Sequence, residues 1–296
     1  ALLEAGGDPN AEGTFSRRPL HHALEAGRSD IVHVLLAAGA DPGRHATSAV
    51  FHEPPPIRIP MGKGDTDAMV LLLPHVDDRE RLWLLVEALS RDDMEMAARI
   101  SASGVDHDAA LVRLSRRDDA DARAWLRAQG ARFPPDALAS ICATGHADAI
   151  AEALLDGADP NAAGGHRSTR PAEVLVDRGD ASLLWLLADA GGRLPAGWDP
   201  RGLVRDTDPA FLEGALRLGA AADRATVRAA VVWNQAAALE VLARYVDDPR
   251  AWAPLWLGRG PLRTRATEIH AEKVAADRAR RATVIRRRAK KGRSRQ

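Results

Sequence analysis

Nine residues at the start of the chain are restated 33 positions later: Leu2–Asn10 reads LLEAGGDPN and Leu35–Gly43 reads LLAAGADPG. Self-similarity at a fixed period of about 20–50 residues marks a repeat protein, in which each unit buries its apolar face only against its neighbours. A chain of this kind is a one-dimensional stack, and its size follows from repeat number. The copy that opens at Leu2 begins in the middle of a repeat, so the sequence predicts that further residues precede Ala1 in the whole protein.

Between the two copies lies PLHHALEAGRSDIVHVLLAAGADP, Pro19–Pro42. Proline suits a first helical position, where its missing N–H would have been unpaired anyway. Gly27 and Gly39 supply the left-handed residue that closes a helix. Helical spacing places Leu20, Ala23 and Leu24 inward on a first helix, and Ile31, Val32, Leu35 and Leu36 inward on a second. The elements Pro19-Leu20-His21, Gly27 and Gly39-Ala40-Asp41 resemble the ankyrin repeat, with Arg18 standing where that family prefers Thr. The resemblance implies an all-α, ankyrin-repeat solenoid of stacked helix pairs with a few short β-hairpin fingers.

The frame recurs with decay at Pro56–Asp77, Leu85–Asp106, Ala110–Ala131, Ala137–Asn161, Arg170–Gly192, Gly202–Asp223 and Val227–Asp248. The closing glycines Gly104, Gly130, Gly157, Gly191 and Gly219 follow at steps of 26, 27, 34 and 28. Steps of 26–28 leave no room for a finger, so fingers are expected only at residues 8–18, 41–56 and 159–170. The expected organisation is repeats over 1–256 and a basic C-terminal helix and tail over 257–296.

Charge is zero overall and uneven along the chain. From Leu262 onward there are 13 Lys/Arg against 3 Asp/Glu, and the remainder is acidic by the same net amount. The thin apolar stripe Ile269, Val274, Ala275, Ala282 and Ile285 suits a helix docked weakly on the last repeat. Three uses of the basic end remain open: a capping helix with a solvated tail, contact with nucleic-acid phosphates, or contact with an acidic surface. No apolar run approaches the roughly 18 residues of a membrane span. A single cysteine, Cys142, excludes an intrachain disulfide framework, and a cytoplasmic setting is expected.

Catalytic chemistry is hard to find. The ten histidines show no HxxxH or CxxC pattern, so no metal is expected. Neighbours His21 and His22 diverge on a helix, and His21 should bond the adjacent turn. The doublets Asp77-Asp78, Asp92-Asp93, Asp118-Asp119 and Asp247-Asp248 read as helix caps rather than paired acids. Cys142 reads as a buried thiol, and no GxSxG, P-loop or GxGxxG occurs, so neither an enzyme nor a cofactor is expected. Trp125 and Trp185 read as packing residues. Trp198, Trp252 and Trp256 are either partner anchors or a cap for the end of the stack. Phe51–Pro60, FHEPPPIRIP, is either a stiff presenting finger or a surface insertion without a role.

What the resemblance implies is a non-catalytic scaffold that binds a protein partner through finger tips and the concave face of the first helices. It nominates Glu12, Phe15 and Arg17 on the first finger, and Phe51, His52, Ile57 and Arg58 on the second. His166, Arg167 and Arg170 follow on the third, and His22 and Glu25 on the concave face. The alternative is a salt-dependent nucleic-acid adaptor using Arg286, Arg287, Arg288, Lys290, Lys291, Arg293 and Arg295. Neither a membrane nor a small-molecule substrate is indicated.

Overall fold

Every segment that repeats the frame folds as two antiparallel helices. The computed structural model describes residues 6–45, 54–164, 168–206, 208–253 and 260–293, with backbone alone at 14, 206 and 284–293. It divides into two compact units, Ala1–Pro134 and Pro135–Gln296. The first holds the pairs α1 (Pro19–Glu25) and α2 (Ser29–Ala37), α3 (Arg58–Lys63) and α4 (Thr66–Leu72), α5 (Asp78–Ser90) and α6 (Met94–Ser101), and α7 (His107–Leu114) and α8 (Ala120–Ala128). The second holds α9 (Leu138–Cys142) and α10 (Ala147–Leu155), α11 (Pro171–Arg178) and α12 (Ala181–Asp189), α13 (Arg201–Asp206) and α14 (Pro209–Arg217), and α15 (Arg224–Val232) and α16 (Ala236–Tyr245). A 3-10 turn at Pro249–Trp252 and the long helix α17 (Pro261–Arg293) follow.

Stacking runs in two layers within each unit. First helices pack on first helices (α1 on α3, α5 on α7, α9 on α11, α13 on α15), and second on second (α4 on α6, α12 on α14, α14 on α16). The core is the line of side chains between them: Leu84, Leu85, Met96, Ile100, Leu111 and Leu114 in the first unit, and Leu138, Ile141, Leu175, Leu187 and Leu239 in the second, each fully buried. A fully buried Leu contributes about 1.5–3 kcal/mol, while ordering backbone costs about 1–2 kcal/mol per residue. One pair alone cannot meet that cost, so neighbouring pairs stand or fall together.

Leu20, Ala23 and Leu24 are buried as their spacing predicts, and so are Val32, Leu35 and Leu36. Ile31 is not: 39% of its surface is exposed. Val32, Leu35 and Leu36 already define the buried stripe at i, i+3 and i+4, and Ile31 lies about 100° off it.

Polar side chains tie one repeat to the next. Asn10 Nδ2 donates to Gly39 O at 2.9 Å, and its Oδ1 accepts from Asp41 N at 2.7 Å. The second DPN motif repeats the donor half of the device, with Asn161 Nδ2 donating to Gly191 O at 3.1 Å. In both, the Asp two residues earlier accepts from the Asn backbone N–H at 2.8 Å and fixes the turn. A second latch caps first-helix C-termini, whose carbonyls lack intrahelical partners. Lys63 Nζ donates to Leu24 O and Glu25 O, Arg178 to Ala143 O, and Gln235 Nε2 to Arg205 O. Gly145 makes room for the second of these: at φ 81°, its place would put any Cβ against the Arg178 guanidinium.

The aspartate doublets cap helices. Asp77, Asp93 and Asp119 each accept from the backbone N–H three residues on, at 2.8–3.0 Å, and Asp248 accepts from Arg250 N at 2.9 Å. The fingers are slighter than expected. Among the described residues the sole strand-like pairing is the antiparallel bridge Gly164–Thr169. The first finger is a tight turn in which Gly13 N donates to Arg17 O and Ser16 N to Gly13 O. Two-stranded ribbons this short are marginal without a third strand.

Candidate functional site

The first finger and α1 carry five of the nominated residues. Phe15 stands 60% exposed at the turn apex, with φ 60° and ψ 27°. Ser16, the next residue, also has a positive φ of 61°. For a side chain carrying a Cβ this left-handed region costs on the order of 1–3 kcal/mol, and such strain collects at functional turns. Arg17 forms an ion pair with Glu25 at the end of α1, so finger and helix are joined through charge. His22 and Glu25 are both exposed on α1. Glu12 pairs with Arg18.

Arg18 is the residue that sequence reasoning passed over. It is 1% exposed, and its guanidinium donates to Arg44 O and His45 O as well as to Glu12. The bulky replacement for the family's threonine thus cements the finger to the following turn. Beside it His21, also buried, accepts at Nδ1 from Arg18 N (3.1 Å) and donates from Nε2 to Pro54 O (3.0 Å). That bond to the next turn is the one its motif position predicts.

The second finger is partly accounted for. Phe51 and His52 lie outside the described residues. Ile57 is corrected: it is fully buried, not a presented side chain. Its N–H donates to Pro42 O at 2.9 Å, so the chain leaving the prolines turns inward there to seat α3. Arg58 lies 3.6 Å over the Trp83 ring and donates to Glu80 at 3.0 Å. It lines a cleft of about 680 Å³ with His75, Arg79, Trp83 and Arg113. On the third finger His166 and Arg167 lie outside the described residues, and Arg170 is exposed at the start of α11. Arg286, Arg287, Arg288, Lys290, Lys291 and Arg293 fall on the last turns of α17, and Arg295 lies outside the described residues.

Trp252 is 1% exposed and its Nε1 donates to Val246 O at 2.9 Å, so it caps the stack; Trp256 lies outside the described residues. Trp125 and Trp185 are half-buried, and Trp185 Nε1 donates to Ala210 O with Arg217 over its ring.

Among the described residues no three His, Cys, Asp or Glu side chains gather as a metal site would require. None of their helices is long and apolar enough to cross a membrane. Cys142 is fully buried, and burial pushes its thiol from 9.0 up to about 12. The neutral thiol is the form that the fold favours. Its contribution to stability is therefore complete below pH 9 and is lost as pH rises toward 12. At pH 8 a disulfide reagent such as DTNB should leave Cys142 untouched in native protein and titrate it within minutes in urea. Rapid native labelling would show an accessible thiolate.

The repeat geometry has a counterpart in known sequences. Residues 15–44 match the family model described as Ankyrin repeat. Residues 15–44 are an ankyrin repeat. The matched span covers the first finger, α1, α2 and the closing turn, and the same two-layer packing extends through the weaker copies in each unit. A curated relative, the 2-5A-dependent ribonuclease of Mus musculus, is 59% identical over 44 residues, which is 14% of this chain and 6% of that protein. The likeness touches a small part of both proteins. Ankyrin repeats generally serve protein–protein interaction.

Proposed function

We propose that this chain is a non-catalytic scaffold that holds a protein partner on the face formed by the first finger and α1. The supporting observation is Phe15, an aromatic kept 60% exposed by two consecutive left-handed residues. Stability alone would favour glycine at such positions, and exposed aromatics are the side chains that dominate binding hot spots. Two residues on, Arg17 pairs with Glu25, and His22 and Glu25 are exposed on α1, polar groups suited to the rim of an interface. A buried aromatic centre within a polar rim is the usual anatomy of a protein interface.

The test is affinity capture from a nuclease-treated lysate with three baits: the parent chain, Phe15→Ser, and a chain ending at Asp277. A discrete protein should be retained by the first and third and reduced at least ~10-fold by Phe15→Ser, the loss expected of a hot-spot side chain. Capture that survives Phe15→Ser, or that needs the residues after Asp277, would contradict the proposal.

A further inference from the structure

Helix α17 changes character half-way along. Its first half is docked: Ala266 and Ile269 are buried, Arg265 donates to Glu240 at 2.7 Å, His270 Nδ1 lies 2.9 Å from Pro249 O, and Lys273 donates to Asp247 at 2.8 Å. From Arg278 to Thr283 every residue is exposed. Six in succession exceed one turn of about 3.6 residues, and a helix lying on a surface cannot expose a whole turn. Among the described side chains, Arg280 is the last one bonded to the rest of its unit, through Asp247 at 3.6 Å. The backbone continues helical to Arg293.

The stretch from Arg278 to Arg293 carries nine Lys/Arg and no Asp or Glu. At about 100° per residue the nine positions surround the helix, with no gap wider than about 60°. That distribution discriminates between kinds of anion. A bilayer or an acidic protein face meets one side of a helix and leaves the opposite cations unpaired. A membrane-surface helix also needs a broad apolar face, and Val284 and Ile285 are the only large apolar residues of the stretch. The major groove of B-form DNA, about 12 Å wide, admits an α-helix and walls it with phosphates on both sides. The A-form RNA groove is too deep and narrow for this. Single strands are read by aromatic stacking, and the stretch has no aromatic residue.

We propose that residues 278–293 of α17 form an arm that seats in the major groove of duplex DNA through phosphate contacts. This arm is independent of the finger face of the first unit. Unbound, its like charges repel one another, and a helix of about 24 Å is marginal in water on its own. Phosphates remove that repulsion, so helicity should rise on binding.

The experiment titrates the full chain into a labelled B-form DNA duplex of 20 base pairs across a series of salt concentrations. Parallel arms use an A-form RNA duplex and phosphatidylserine vesicles. The expected plot of log affinity against log salt is steep and linear, with a slope of about −5 to −8, from roughly −0.9 per phosphate engaged. Arg286→Gln/Arg287→Gln/Arg288→Gln should flatten the slope by about 3 and leave the thermal melt unchanged, because the substituted turns lie beyond the docked half. Circular dichroism should show helicity gained on DNA by the parent and not by the triple variant. A triple variant that binds like the parent overturns the proposal. So does tighter binding to vesicles, or equal binding to the RNA duplex.

Discussion

Leu187→Ala should destabilise the second unit by about 2–5 kcal/mol, read as an earlier urea midpoint by circular dichroism. Leu187 is fully buried on α12, with Leu183 and Leu184 on the same buried stripe. α12 packs on both α11 and α14, so the cavity would open where two repeats meet. The closing turn leans on this side chain as well. Gly192 N donates to Leu187 O at 2.9 Å, and a Cβ at Gly192 would strike Leu187 Cγ. Leu187→Met, which keeps the volume, should cost less than about 1.5 kcal/mol. Equal midpoints for the alanine variant and the parent would mean that the register of α12 is wrong.

Trp252→Ala should cost about 3–5 kcal/mol, the range for large aromatics emptied from a core. Repeat stacks need an end that shields the last apolar layer. Here the 3-10 turn and the first half of α17 provide it, with Trp252, Ala266 and Ile269 buried together with that layer. The helix packs on the turn and on α15 and α16. Its ion pairs add to this end: Lys273 beside Asp247 holds that carboxyl below its ordinary value, with Arg280 contributing less. Trp252→Phe keeps most of the area and loses the bond to Val246 O, so its cost should be nearer 1 kcal/mol. Melting should therefore rank parent, Phe, Ala. An alanine variant that melts with the parent would show that this end of the stack is not capped by Trp252.

The helix pairs were legible because their signals are local. Apolar spacing in LHHALE and VLLAA, aspartates before helices and glycines after them each act within a few residues; seven of the eight pairs start within three residues of the frame read from sequence, while α5 starts at Asp78, seven residues ahead of the frame at Leu85. DPN was legible as a repeat mark, though its work, a side chain reaching the next turn, shows only in the fold. Ile31 was misplaced by local helix geometry, and Ile57 by a neighbour distant in sequence. Ile57 is drawn inward because Pro42 O, 15 residues earlier, accepts its N–H. The latches of Lys63, Arg178 and Gln235 act across 30–39 residues. Arg18 could have been noticed from a large cation at a position the family fills with Thr, but its burial depends on carbonyls 26 and 27 residues on. Of the candidate binding face, Phe15 was legible only as a finger position that the resemblance nominates, and its left-handed backbone was not legible at all.

Photo-crosslinking from position 15 tests the scaffold reading most directly. A benzoylphenylalanine in place of Phe15 keeps the aromatic at the apex, and the same group in place of Val34 reports from α2, where that valine is 57% exposed. Irradiation in lysate should give one defined protein adduct from position 15 and none from position 34. Equal adducts from both positions, or none from position 15, would contradict the assignment of partner binding to the first finger.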